Sequence, residues 1–339
     1  MFGKDIGVDL GTANVLVHVR GKGVVLNEPS VVAIESNSKR VVAVGEEARK
    51  MLGRTPGNIV AIRPLREGVI ADFEITEVML KHFIAKAVGK GRFARPNVCV
   101  CIPAGITSVE QKAVRQATEA AGAKRVYLIE EPKAAAIGAG LDITQPSGNM
   151  VVDIGGGTTD VAVLSLGDVV TASSIRVAGD KFDEAIIRYI KRNHNLLIGE
   201  RTAEEIKIRV VSVFPEGRQE EIDIRGRDMI SGLPKTVTIY TREMAEALAD
   251  SVQSIVATAK TVLERTPPEL ASDIFDKGVV VTGGGALLHG IDRLLTEELQ
   301  VPVNIADDPM TCVARGTGAF LENIEKFGRQ DGQAMRRTR

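Results

Sequence analysis

Cysteine is scarce in this chain, with three in 339 residues. Cys99, Cys101 and Cys312 cannot make a disulfide framework or a four-cysteine zinc site. Cys99 and Cys101 lie two apart on an apolar strand, so they face one way and read as core. The four histidines, His18, His82, His194 and His289, are scattered and suggest no metal cluster. An excess of one charge is missing as well. The formal net charge of −1 gives no reason to invoke nucleic acid. No apolar run is long enough to span a bilayer, and no signal peptide precedes the first strand, so a cytoplasmic protein is expected. No Gly-Lys-Ser/Thr follows any glycine-rich run, which excludes a P-loop. What remains, at 44% apolar and 26% charged, is enough for two soluble domains with substantial cores.

Two short apolar strands each run into an aspartate and then a tight turn. The first reads Ile6-Gly7-Val8-Asp9-Leu10-Gly11-Thr12-Ala13-Asn14 and continues into Val15-Leu16-Val17. The second reads Met150-Val151-Val152-Asp153-Ile154-Gly155-Gly156-Gly157-Thr158-Thr159-Asp160 and continues into Val161-Ala162-Val163. Glycine lets backbone N–H groups approach an anion closely, because no Cβ intervenes. Thr12, Thr158 and Thr159 add hydroxyl donors, and Asp9 and Asp153 are suited to a hydrated Mg²⁺ between the two turns. An ordinary hairpin turn has no need of the aspartate. A third run, Thr282-Gly283-Gly284-Gly285-Ala286-Leu287-Leu288, also follows an apolar strand. Together the three predict a nucleotide between two related domains. The first two strands turn back as hairpins, which is not the Rossmann arrangement.

The rest of the chain alternates strands and helices. Residues 5–45 read as short β runs. Glu74 to Val88 predicts a helix with Val78, Leu80, Phe83, Ile84 and Ala87 on its apolar face. Thr107 and Glu110 form a capping box for a helix that Gly122 ends, and Thr202-Ala203-Glu204-Glu205 reads as another. Val126 to Ile129 is a strand delivering Glu130 and Glu131, and Pro132 suits the first turn of the helix that follows. Gln145-Pro146-Ser147-Gly148 marks a domain junction. A helix is expected from about Lys181 to Asn193, a β region over 213–240, and a long helix from Thr241 to near Thr266. Asp308-Pro309 predicts the cap and first turn of the last helix, and the polar tail from Gly328 predicts disorder. A carboxylate where a strand meets a helix N-terminus sits where open α/β sheets bind ligands, and it can orient or deprotonate water. Alternation lets only one of Glu130 and Glu131 face the cleft.

These motifs, in this order, resemble the actin, Hsp70 and sugar-kinase superfamily and, more narrowly, the bacterial actin MreB family with its Mbl-like members. Ile129-Glu130-Glu131-Pro132 and Gly199-Glu200-Arg201-Thr202-Ala203-Glu204 match alongside the three glycine runs. The resemblance implies an α/β, actin-like ATPase fold with ATP or ADP and Mg²⁺ in a central cleft. It implies one domain over 1–145 plus a C-terminal helix near 309–327, with a small subdomain near 33–66. The second domain would span 146–308 with a small subdomain near 181–241, and 328–339 would be a basic tail. Asp9 and Asp153 would hold Mg²⁺ through water, and Gly11 to Asn14 and Gly155, Gly156, Gly157 and Thr158 would grip the phosphates. Glu204, Glu205, Ile206 and Lys207 would meet ribose and base, with Gly284, Gly285, Ala286 and Leu287 as the adenosine-side wall. Glu131 would orient the attacking water, with Thr158 helping to place it. One departure is the lysine of actin's phosphate loop, whose place Leu16 takes, which leaves charge compensation to Mg²⁺ and backbone amides.

The same resemblance implies filaments of paired protofilaments on the inner face of the cytoplasmic membrane, directing cell-wall synthesis and rod shape. Implied partners are anionic lipid, other MreB paralogues, and RodZ, MreC and MreD. Phe2 and Phe93 would touch the membrane, with Lys90, Arg92 and Arg95 meeting anionic headgroups. An Hsp70-type chaperone would need a further substrate-binding domain, and a sugar or acid kinase would need a catalytic aspartate in a polar substrate pocket.

Overall fold

Both aspartate-ending strands turn back on themselves in the computed structural model, which describes residues 5–89, 95–214 and 218–324. The first such strand, β1 (Ile6–Leu10), pairs antiparallel with β2 (Asn14–Val19), which pairs with β3 (Gly23–Pro29). The chain then forms β4 (Val32–Glu35), β5 (Val41–Val44), the short α1 (Glu46–Arg49) and β6 (Ile59–Ile62). β4 lies between β5 and β6 in a separate small sheet. A two-stranded ribbon follows, β7 (Leu65–Arg66) and β8 (Val69–Ile70). α2 (Phe73–Val88) leads to β9 (Asn97–Ile102), α3 (Ser108–Ala120), β10 (Arg125–Glu130) and α4 (Glu131–Gly138).

The second half restarts the plan. β11 (Asn149–Ile154) pairs antiparallel with β12 (Thr159–Ser165), and β12 with β13 (Asp168–Ile175). α5 (Gly179–His194), β14 (Leu196–Leu197) and α6 (Glu200–Arg209) follow. β15 (Glu221–Asp228) and β16 (Pro234–Tyr240) form a hairpin that leads into α7 (Thr241–Glu264). α8 (Pro268–Lys277), β17 (Val279–Thr282), α9 (Ile291–Leu299), β18 (Val303–Ile305) and α10 (Cys312–Glu322) complete the described chain.

The two main sheets have matching orders, β10-β9-β1-β2-β3 and β13-β12-β11-β17-β18. In each, the strand carrying the aspartate is central. It pairs antiparallel with the strand after its turn and parallel with a later one, β9 or β17. Central strands are buried on both faces, which accounts for their continuous apolar runs. Phe83, Met79 and Leu80 of α2 cover the first sheet, and Phe182, Ile186 and Ile255 pack on the second. α4 and α10 cross at glycines. A Cβ on Gly138 would lie 1.8 Å from the Cys312 carbonyl oxygen, and one on Gly316 1.8 Å from that of Ala134.

Three expectations change. Thr202 does not cap a helix: α6 begins at Glu200 after Gly199, placing Thr202 within its first turn. Gly199 allows the extended entry there, and no side chain caps it. Asp308-Pro309 opens a short 3₁₀ turn, Pro309–Thr311, and Thr311 is the residue before α10. Asp308 sits in the left-handed region at φ 48°, which cannot begin an α-helix directly. Val78 lies on the exposed side of α2; Ile75 and Met79 take the core positions instead. The Thr107–Glu110 box forms, with Thr107 N donating to Glu110 Oε2 at 2.7 Å and Glu110 N to Thr107 Oγ1 at 3.3 Å. Phe2, Lys90, Arg92, Phe93 and the tail from Gly328 lie outside the described residues.

Candidate nucleotide site

The two hairpins are built to one register. Leu10 pairs with Val15 and Asp9 with Leu16; Ile154 pairs with Thr159 and Asp153 with Asp160. Four residues therefore form each turn, Gly11 to Asn14 and Gly155 to Thr158. Gly155 N donates to Thr158 O at 2.9 Å, closing the second turn. Ser30 braces the first, its N donating to Ala13 O at 2.9 Å and its Oγ to Gly11 O at 2.6 Å. Asn14 Nδ2 donates to Asn27 Oδ1 at 2.8 Å. The turns face each other closely: a Cβ on Gly156 would sit 2.6 Å from Ala13 Cβ, and one on Gly157 2.3 Å from Thr12 Oγ1.

Four carboxylates surround these turns: Asp153 and Asp160 are buried, Asp9 and Glu131 half-buried. Burial raises Asp9 to about 6 and Asp153 to about 7. Asp153 Oδ1 accepts from Thr282 Oγ1 at 2.7 Å, at the end of β17. Burial raises Glu131 well above the usual carboxylate range, and Asp160, Asp9 and Asp153 push it further. Glu130 turns elsewhere, half-buried and in the field of Lys133 and Asp168. Of the adjacent glutamates, Glu131 therefore shares the space of the two aspartates. Every charged group acting on it is another carboxylate.

The other expected site residues divide. Glycines 284 and 285, Ala286 and Leu287 form a 3₁₀ turn against the second hairpin; a Cβ on Gly285 would meet Ile154 Cγ2 at 2.2 Å. Lys207 Nζ bonds Asp183 Oδ2 at 2.9 Å and Gly179 O at 3.3 Å, and Gly179 N donates to Gly155 O at 3.2 Å. That chain of contacts brings Lys207 to the second hairpin turn. Glu204 Oε2 accepts from Arg49 Nη2 at 2.8 Å. Glu205 pairs outward with Arg209, and the Ile206 side chain is wholly buried in the core. Between α5, α6 and the β6–β7 segment lies a cavity of about 710 Å³, bordered by Arg63, Glu67, Gly157, Asp180 and Lys181.

Three residues escaped the sequence reading. Asp160 stands directly opposite Asp153; its Oδ1 accepts from Ala104 N at 2.8 Å and its buried Oδ2 has no partner. Four-residue turn counting would have found it. Gly68, at the tip of the β7–β8 ribbon, donates its N–H to Thr12 Oγ1 at 3.0 Å. A Cβ there would meet Thr158 Cγ2 at 2.7 Å, so this third loop reaches between the two turns. The adjacent Glu67-Gly68 pair, both at positive φ, was the available signal. Cys101 was read only as core. It is buried, and its thiol donates to Asp9 Oδ1 at 3.3 Å.

Oxygen donors predominate, and an unpartnered carboxylate oxygen is sealed among them, which suits a hard cation. Among the described residues no group of three or more His, Cys, Asp or Glu is placed to ligate a metal directly. The carboxylates suit a cation that keeps its water.

Residues 3–329 match the family model described as MreB/Mbl protein. The chain belongs to the MreB/Mbl family. It is 68% identical over 327 residues to the cell shape-determining protein Mbl of Bacillus subtilis (strain 168), covering 96% of this chain and 98% of that protein. It is 55% identical to the cell shape-determining protein MreB of Escherichia coli (strain K12), covering 97% and 96%. The crystal structure of MreB 5 of Spiroplasma citri bound to AMPPNP superposes at TM-score 0.91, with 40% identity over 98% of this chain and 99% of that one. The MamK double helical filament subunit superposes at 0.79 with 22% identity, covering 94% of this chain and 99% of that one, a likeness of fold alone. The fold is thus the actin-like α/β fold that the MreB/Mbl motifs imply.

Proposed function

We propose that this member of the MreB/Mbl family is a filament-forming ATPase that determines cell shape. One observation carries the chemistry: four desolvated carboxylates, the buried Asp153 and Asp160 and the half-buried Asp9 and Glu131, ring two facing backbone turns. Desolvated carboxylates repel one another unless a cation joins them. Mg²⁺ accompanying a nucleotide is the cation that fits, held through water by Asp9 and Asp153, and it would neutralise the phosphate charge. The turn amides of Gly11 to Asn14 and Gly155 to Thr158 hold the phosphates. Lys207, Glu204 and the Gly284–Leu287 turn flank ribose and base.

Glu131, the first residue of α4 just past the end of β10, orients the attacking water, with the Thr158 hydroxyl helping to place it. Its raised pKa fits a residue that holds or accepts a proton rather than a fixed charge. Positioning one water is the main task, so turnover is slow. The division into 1–145 with 309–327, and 146–308, follows the two matching sheets. Kinship supports filaments of this chain's own copies, since a distant fold relative is known as a double helical filament. Assembly on the inner membrane face through Phe2 and Phe93, and guidance of wall synthesis with RodZ, MreC and MreD, belong to the same reading. The family's relatives, named for cell shape, support it.

The test is phosphate release at saturating ATP. Glu131→Ala should bind a fluorescent ATP analogue like the parent and release phosphate roughly a hundredfold more slowly. Unchanged turnover would point to Glu130, or to a purely structural role for the pair. Sedimentation with ATP, set against sugar-dependent ATP turnover, separates a filament from a sugar kinase.

A further inference from the structure

Cys101 occupies the strand between the two that deliver Asp9 and Glu131. β9 pairs with β1 up to Val100 opposite Val8, which brings Cys101 level with Asp9. On its other side Cys101 pairs with Ile129, two residues before Glu131. Its thiol donates to Asp9 Oδ1 at 3.3 Å, and Glu131 Oε1 lies 4.0 Å from the same sulfur. Cys101 itself is buried, at 3% exposure. Close by, Asp160 keeps a buried carboxylate oxygen with no partner.

We infer that Cys101 is a positioning residue for phosphate chemistry: its thiol fixes the Asp9 carboxylate and spaces it from Glu131. This rests on the roles proposed above for Asp9 and Glu131, and adds the group that holds them apart. The physical argument is one of supply. Asp153 has a hydroxyl donor, Thr282, at 2.7 Å. For Asp9, the side-chain donor that lowers its pKa against burial is the Cys101 thiol. A carboxylate that must meet the water shell of a cation needs its rotamer held, and supporting contacts of this kind govern metal affinity. The thiol is a weak donor, neutral at ordinary pH because burial raises it further. It can therefore orient Asp9 without cancelling the negative charge the cation requires.

Three variants separate positioning from packing. Cys101→Val fills the space and removes the donor. Cys101→Ser keeps a donor in less volume, and Cys101→Ala removes both. The readouts are phosphate release against Mg²⁺ concentration, and binding of a fluorescent ATP analogue with and without Mg²⁺. Positioning predicts that Val and Ala each raise the half-saturating Mg²⁺ roughly three- to tenfold, the range of one modest hydrogen bond, while Mg²⁺-free binding stays put. Ser should then recover most of the loss. Packing alone predicts the reverse order, with Val like the parent and Ser as poor as Ala; that result overturns the inference. Asp9→Ala in parallel isolates the underlying reading: if it too leaves the Mg²⁺ dependence unchanged, the site assignment has failed first. Should a variant not fold, the S–H stretching bands of the parent protein serve instead. One band should shift in Asp9→Ala, and unchanged bands refute the contact.

Discussion

The two aspartate hairpins have one register and different chemistry. Opposite Asp9 stands Leu16; opposite Asp153 stands Asp160. The first turn carries side chains, Thr12, Ala13 and Asn14, where the second has Gly156, Gly157 and Thr158. Its aspartate leans on a thiol, the other on a hydroxyl. The first hairpin is thus a shaped edge with one carboxylate, and the second a bare backbone turn with two. Duplication of a fold does not require duplication of charge. Leu16, standing where the resemblance would place actin's lysine, is buried at 4% exposure.

The comparison breaks first at the aspartates. Asp153→Ala and Asp9→Ala should each weaken Mg²⁺-dependent ATP binding roughly ten- to a hundredfold, with the larger loss for Asp153. Thermal unfolding without Mg²⁺ should show Asp153→Ala at least as stable as the parent, because it removes a desolvated charge facing Asp160. Equal binding by both variants and the parent would mean the cleft is misread.

The turns come next. A Cβ on Gly11 would lie 2.6 Å from the Asn14 carbonyl oxygen, whereas one on Gly155 would lie 3.3 Å from that of Thr158. Gly11→Ala should therefore cost about 1–3 kcal/mol of stability and Gly155→Ala clearly less. Denaturant melts of the two variants decide it, and the opposite ranking would contradict the geometry.

Much of this contrast could be read in the residues. Strand-aspartate-glycine punctuation located both hairpins, and the third glycine run fell at the end of β17 as expected. Period-2 alternation separated Glu130 from Glu131, though not which one faced inward; that depends on where β10 stops and α4 begins. Asp160 and Cys101 were hidden for another reason. Their roles arise across strands, and cross-strand register is set by turn length and sheet order rather than by neighbours in sequence. Thr202 misled because a capping box is a local pattern, and Gly199 had already opened α6 three residues earlier. The Arg49–Glu204 contact joins residues 155 apart and has no local signature.

A gentler test uses pH. With folded values of about 6 and 7 against 3.8 in the free side chain, Asp9 and Asp153 hold more protons folded than unfolded. Stability without cation should then be greatest below 3.8 as far as these two groups contribute, and fall as pH rises through about 6 and 7. Mg²⁺ must displace those protons, so its affinity should climb over the same interval. Calorimetry in buffers of differing ionisation heat would count the released protons; no release would refute the assignment.

The smallest effect lies at the cavity rim. Arg49 meets Glu204, Arg63 approaches Asp180 at 3.8 Å and Glu200 at 3.6 Å, and Glu67 meets Arg176 and Lys181. Arg49→Ala should alter nucleotide exchange by no more than roughly two- to fivefold, and the difference should vanish in high salt. An effect that persists there would mean the contact is more than ionic.

That rim has a consequence for any separation of the elements it joins. Apolar surfaces resist separation in water because opening them exposes area that water disfavours. Paired guanidinium, ammonium and carboxylate groups exchange partners for water and small ions at little net cost. Opening along these contacts breaks charge pairs that water can replace, and a Debye length of about 8 Å at physiological salt confines their attraction to the last stage of approach. Such a set of pairs behaves like a magnetic clasp: each charge senses its partner only when nearly shut.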